Sequence, residues 1–215
     1  MPQRLKAEVR ERIVAAASAV FAEQGFERAK LVDIADRAET STSNIYKYFA
    51  DNEALFHETP ALAGRLIRLL RARVRDLRLI GNWLEADAAR SEPARALLSF
   101  WIDQRLVVLI LLRGAVGTRY AHVRDMMIEE MVRLASRYVR ETQGEAALSP
   151  LMLFMLERTF TRTIDTIADT LAAYEDGASI QAAIDLFWRY QLAGLQSLMV
   201  PTTLEQTRAA HQSSE

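Results

Sequence analysis

GFERAKLVDIADRAETSTSNIYKYFADNEALF, residues 25–56, is the stretch whose reading decides the fold. It begins where a helix ends. Residues 7–24 set Val9, Ile13, Ala16, Ala17, Val20 and Phe21 at helical spacing, and Gly25 follows as glycine often does one residue past a helix end. Phe26 is then placed to fold back on the core. A short second helix is predicted over 31–38, with Leu31, Ile34, Ala35 and Ala38 inward. Glu39, Thr40 and Ser41 make a tight connection, and Ser41 or Thr40 can cap a third helix over 42–49. Its inward residues are Ile45, Tyr46 and Phe49, leaving Tyr48 the more exposed tyrosine. Asp51 suits the N-cap of a fourth helix, with Glu53 favourably placed in its first turn. Three short helices with a three-residue turn between the second and third have helix-turn-helix geometry.

Working outward, the remaining chain also reads as helix. Half of the 215 residues are hydrophobic, with only 8 Gly and 5 Pro, and no window alternates with period two. An all-α fold of about nine helices is expected. The helix opened by Asp51 meets Pro60, where it should kink or restart, and resumes to about Leu79 before Gly81-Asn82. Further helices are predicted over 93–113, from Thr118 to about Thr142, over 149–174 with Ser149-Pro150 as cap and first turn, and over 178–199. The organisation implied is a helix-turn-helix domain over 1–51, a helical regulatory and dimerisation domain over 52–201, and a polar tail over 202–215.

The net charge of −1 gives no global pull towards a polyanion; residues 1–57 hold eight Lys/Arg against nine Asp/Glu. A DNA binder built this way depends on local placement of charge. The third helix presents Thr42, Ser43 and Asn44 at its N-terminal face, with Lys47 one turn on. Small hydroxyl and amide side chains allow close approach to base edges and phosphates, and helix N-termini favour a phosphate nearby. Lys30, just before the second helix, stands where a phosphate clamp would sit.

The stretch resembles the signature of the TetR/AcrR family of transcriptional regulators. The resemblance rests on Gly25-Phe26, Asp33-Ile34-Ala35, Arg37-Ala38, Ser41, Ile45-Tyr46, Tyr48-Phe49, Glu53 and Leu55, and covers roughly the first quarter of the chain. It implies a homodimer bound to double-stranded operator DNA, with Lys30, Leu31, Ser41, Thr42 and Ser43 at the DNA. Asn44, Tyr46, Lys47, Tyr48 and Asn52 would complete that face. Family members usually carry Thr-Thr in place of Lys30-Leu31, Gly-Val in place of Glu39-Thr40, and a phosphate-holding Lys in place of Asn52. Losing that lysine and gaining Glu39 should weaken the salt-dependent part of operator affinity, with Lys30 as an offset. The departures leave open a second reading, a protein of this fold that has lost tight operator binding and serves as a protein-interaction module.

The second half would then sense an unidentified, small, lipophilic effector and release DNA. Phe100, Trp101, Met126, Met127 and Met155 offer aromatic and adaptable walls, with Arg105 and Arg162 as polar anchors. Arg105 lies in an otherwise apolar helix and needs a partner or a wet cavity. Arg158, Arg162, Asp165 and Asp169 read as a salt-bridged solvent face or as inward anchors. The last helix carries two apolar stripes, one through Ile184 and Leu195 and one through Trp188, Leu192 and Met199. Together with Phe154 these are the expected dimer contacts. A hinge at Pro60, held by ion pairs from Arg65, Arg68, Arg71, Arg75 and Arg78, would transmit the signal; the same stripe also reads as a solvated arginine face on a helix that simply restarts.

Other classes fit poorly. There is no cysteine, and His57, His122 and His211 lack metal-ligand spacing. No phosphate-cradling glycine loop or serine elbow occurs, so neither an enzyme nor a bound cofactor is expected. The longest apolar run, Leu106 to Leu112, is far short of the ~20 residues that span a bilayer. No membrane association and a cytoplasmic location are expected.

Overall fold

The computed structural model describes residues 2–58, 63–79 and 91–199. Pro60, the Gly81-Asn82 break, the tail from 202 and the side chains of Arg78 and Met199 lie outside the described residues. The elements are α1 (Pro2–Gln24), α2 (Leu31–Arg37), α3 (Thr42–Ile45), α4 (Asn52–Glu58), α5 (Ala63–Leu79), α6 (Glu92–Asp103), α7 (Arg105–Leu109), α8 (His122–Gln143), α9 (Pro150–Ala173) and α10 (Gly177–Met199). A π-helical segment, Ile110–Gly114, continues α7. No strand occurs among the described residues, as the absence of period-two patterning requires.

Local chemistry accounts for several ends. Ser149 accepts a hydrogen bond from the Met152 N–H and opens α9, with Pro150 in the first turn. Asp176 accepts from the Ser179 N–H at 2.8 Å, which holds its carboxyl below the ordinary carboxylate range. Asp51 caps α4 by accepting from the Ala54 N–H at 2.7 Å.

Three predicted helices differ in the structure. The helix over 93–113 breaks at Gln104 (φ −119°, ψ 35°) before α7 resumes. The polar run Asp103-Gln104-Arg105 leaves the apolar bundle here, and a bend turns it outward. Arg105 finds its partners there, donating to the Leu171 carbonyl (2.9 Å) and to Glu175 (2.9 Å). Thr118 does not open α8; its hydroxyl donates to the Ala115 carbonyl and accepts from the Tyr120 N–H, making a turn, and the helix starts at His122. The third helix is a single turn, Thr42–Ile45, followed by a turn over 46–48.

Two hydrophobic cores result. One gathers α1 to α4 around Ile13, Phe21, Ile34, Ile45 and Phe56, and also takes in Ile110 and Ala115 from the π segment and its exit. The other fills the bundle of α5 to α10. Gly114 makes the close approach between them possible. The Phe26 N–H donates to the Gly114 carbonyl at 2.9 Å, and a Cβ on Gly114 would stand 2.7 Å from the Phe21 carbonyl oxygen. Gly25, opposite it, has φ +77°, the left-handed conformation that glycine adopts without strain.

Ion pairs also depart from the predicted pattern. Asp165 and Asp169 bind Arg124 and Arg113 of neighbouring elements and not the arginines of their own helix, so they tie α9 to the bundle. At the α5–α6 junction the pair is made by Arg73 with Asp76 (2.6 Å), a residue outside the predicted stripe. Within that stripe, Arg65 lies over the Phe100 ring, 5.4 Å from its centroid, while Arg68, Arg71 and Arg75 are exposed.

Candidate nucleic-acid interface and interior cavity

The turn between α2 and α3 is a Schellman motif. The Thr40 N–H reaches the Ala35 carbonyl (2.9 Å), and the Glu39 N–H reaches Asp36 (3.2 Å). That geometry puts Glu39 at φ +50°, a conformation that costs a side-chain-bearing residue and not a glycine. The resemblance marks this position as an ordinary glycine site, and the backbone supplies the reason. Glu39→Gly is expected to raise stability by about 0.5–1 kcal/mol, read as a higher melting temperature. An unchanged melting temperature would mean that the glutamate side chain compensates its own strain.

Ser41 then caps α3, its Oγ accepting from the Asn44 N–H (3.2 Å) and lying 2.9 Å from the Ser43 hydroxyl. The Asn44 amide donates to the Thr40 hydroxyl at 2.8 Å, so Thr40, absent from the predicted face, orients one of its members. Lys30, Ser41, Ser43, Tyr46 and Lys47 are exposed, while Leu31, Thr42, Asn44, Tyr48 and Asn52 are half-buried.

The two tyrosines exchange their predicted roles. Tyr46 is 57% exposed, whereas Tyr48 packs against the core. In a regular helix the two tyrosines would stand equally far from the inward side shared by Ile45 and Phe49, so the turn over 46–48 decides which one is buried. Asn52 turns inward as well, donating to the Ala29 carbonyl at 3.4 Å. Arg10 braces the motif from α1, lying 5.2 Å from the Phe49 ring centroid and pairing with Glu58 at 2.8 Å. Arg37 on α2 binds Glu23 on α1 at 2.7 Å. The result is a polar face of exposed and half-buried hydroxyls, one amide, one phenol and two lysines.

The bundle holds a cavity of about 180 Å³ between α5, α6, α8, α9 and α10. Of the residues predicted to bind an effector, Trp101 and Met127 line it. Phe100 is buried beneath Arg65, and Met126 is half-buried outside the lining. Met155 and Arg162 are exposed on α9, and Arg105 is engaged with Leu171 and Glu175. Four residues predicted for the dimer contact, Ile184, Trp188, Leu192 and Leu195, line the cavity instead. Steps of three or four residues turn a helix by only about 40–60°, so the two supposed stripes of α10 are one face. The opposite face carries Leu186 and Tyr190, both exposed, and α9 exposes Leu151, Phe154 and Met155.

The cavity has a polar edge that no sequence pattern marks. Arg73, Glu130 and Asp185 line it among apolar neighbours. Ser91, the cap of α6, donates to Asp76 at 2.5 Å and accepts from Arg73 at 3.0 Å. Burial lowers the Arg73 pKa, and its bond to Asp76 partly restores it. Among the described residues no group of three His, Asp or Glu could hold a metal ion, and no helix is long and apolar enough to cross a membrane.

Comparison with known proteins agrees with this geometry. Residues 13–59 match the model of bacterial regulatory proteins of the tetR family. A TetR-like transcriptional regulator from Rhodococcus sp. RHA1 shares the fold, with a TM-score of 0.51 and 20% identity over 87% of this chain and 95% of that one. The fatty acid degradation regulator FadR from Bacillus halodurans aligns with a TM-score of 0.40 and 16% identity, over 87% of this chain and 96% of its own. No protein of curated function matches the sequence. The helix-turn-helix thus lies inside the segment matched by the tetR-family model, and the helical body shares the fold of a TetR-like transcriptional regulator.

Proposed function

We propose that the protein is a ligand-responsive repressor that binds a palindromic operator as a dimer and releases it when a small lipophilic molecule enters the bundle. The observation that carries this reading is the Phe26–Gly114 backbone hydrogen bond. It fastens the helix-turn-helix to the chain of α6, α7 and the π segment, and α6 walls the cavity through Leu97 and Trp101. A change in the cavity therefore has a short covalent and hydrogen-bonded route to α1. π-Helical turns inside α-helices are frequent at functional sites.

Residues 1–51 are assigned to DNA binding and 52–201 to sensing and dimerisation, in the cytoplasm. Thr42, Ser43, Asn44, Tyr46 and Lys47 face the bases and phosphates, with Lys30 as an outlying phosphate contact. Dimerisation is assigned to the outer faces of α9 and α10, where Leu151, Phe154, Leu186 and Tyr190 are exposed large apolar residues. A twofold pairing of the bodies would match two operator half-sites.

Gel-shift and footprinting on the DNA upstream of the protein's own gene test the proposal. Specific, salt-sensitive retention is expected. Lys47→Ala should weaken binding across all sequences and lower the salt slope by about one. Absence of specific retention would favour the interaction-module reading, which the inward Asn52 and the acidic Glu39 support.

A further inference from the structure

We infer that the effector is a cationic amphiphile, a compact apolar body bearing one protonated amine; this rests on the cavity being the effector site. Size comes first. A cavity of about 180 Å³ is slightly larger than the ~150 Å³ apolar cavity that accommodates benzene in another protein. It fits an aromatic ring with a short side arm.

Charge then decides what the arm carries. Among the described residues, three ionisable groups line the cavity: Arg73, Glu130 and Asp185. The Arg73 guanidinium is already matched, since Asp76 accepts from it at 2.6 Å and Ser91 bonds to both partners. An anionic ligand at Arg73 would bring a second carboxylate beside Asp76, and like charges at that range repel. It would also meet Glu130 and Asp185.

A cation leaves the Arg73–Asp76 pair intact and is attracted by both remaining carboxylates. Glu130 shares its charge with Arg133, which does not line the cavity. Asp185 is exposed and has no ion pair among the described residues, so its charge is available at the edge of the cavity. Trp101, Trp188 and Phe160 supply aromatic walls, whose faces are electron-rich and attract cations. Carboxylates at the edge and rings within are complementary to an alkylammonium group and its aryl body.

Calorimetry with three probes of nearly equal size separates the possibilities: 2-phenylethylamine, 2-phenylethanol and phenylacetate, at neutral pH and low salt. The amine should bind about tenfold more tightly than the alcohol, and phenylacetate more weakly than either, two partly exposed ion pairs setting that scale. Raising the salt should shrink the amine's advantage. In the double variant Glu130→Gln/Asp185→Asn the amine-to-alcohol ratio should fall to about one, with circular dichroism confirming that the variant is folded. Phenylacetate binding as well as the amine, or an amine advantage that survives the double variant, would overturn the inference while leaving the cavity a ligand site. If no probe binds, the cavity reading itself falls, and the inference with it.

Discussion

Phe56→Ala is expected to lower the unfolding free energy by about 3–5 kcal/mol, a shift in melting temperature on the order of 10 °C for a chain of this size. Phe56 is fully buried, and its ring meets Phe21 and Phe26 edge-on, each at 4.9 Å between centroids. Tyr120, from the turn before α8, lies at 6.4 Å. Truncation would remove the ring that ties α4 and α1 to the body, and the backbone-anchored neighbours Gly25, Gly114 and Ala115 leave little freedom to close the gap. The residue sits in a core shared by both parts, so the loss should be felt by both. Trp83, Trp101 and Trp188 all belong to the second part of the chain, so tryptophan fluorescence reports the body alone. Circular dichroism reports every helix. Coincident denaturation curves from the two probes, both displaced by Phe56→Ala, are the expected result. A displacement in circular dichroism with the fluorescence curve unmoved would mean that the two cores unfold independently.

The same shared core explains what could be read from the sequence. Helices α1, α2 and α4 were legible because their apolar spacing and their caps agree: Gly25, Asp51 and the Ile34-Ala35 pair each have a local signature. The start of α9 was legible for the same reason, with Ser149 and Pro150 adjacent. What escaped was whatever depends on a neighbouring element. Ile110 looks like any other member of the apolar run and Ala115 like a residue of the turn that follows it, and nothing local says that they serve the core of the first four helices. The break at Gln104 lies in a run whose hydrophobicity suggested one uninterrupted helix, and only the Arg105 partners, 66 and 70 residues away, make the bend intelligible. Trp188 and Leu192 read as a stripe apart from Ile184 and Leu195 only while their angular positions are ignored. The angular arithmetic puts them on one side. The setting of the residues proposed for the DNA face is not legible in the sequence: the tyrosine exchange, the Thr40 hold on Asn44 and the inward Asn52 depend on how one short turn closes.

Gly114→Ala carries the second large effect, and its effect on DNA binding should exceed what its stability cost implies. The added Cβ would fall 2.7 Å from the Phe21 carbonyl oxygen and 3.4 Å from the Gly25 Cα. Both neighbours are backbone, so no side chain can swing aside, and relief requires the end of α1 to move away from the π segment. Overpacking of this kind costs about 1–3 kcal/mol. The movement would lengthen the Phe26–Gly114 hydrogen bond, and with it loosen the connection between the helix-turn-helix and the cavity wall. Two measurements separate coupling from simple destabilisation. Amide exchange should accelerate at Phe26 and over 110–114 in the variant, while the α8–α9 amides keep their protection. Operator affinity measured well below the melting temperature should fall, because each head of a dimer would sample orientations that do not match the half-site spacing. A destabilised control supports the comparison: a cavity-making change in the body core, such as Leu171→Ala at a fully buried position, costs a comparable or larger amount without adding an atom against α1. If Gly114→Ala and Leu171→Ala reduce operator affinity only in proportion to their unfolded fractions, the backbone bridge is structural and the signal must reach the DNA-binding helices by another route.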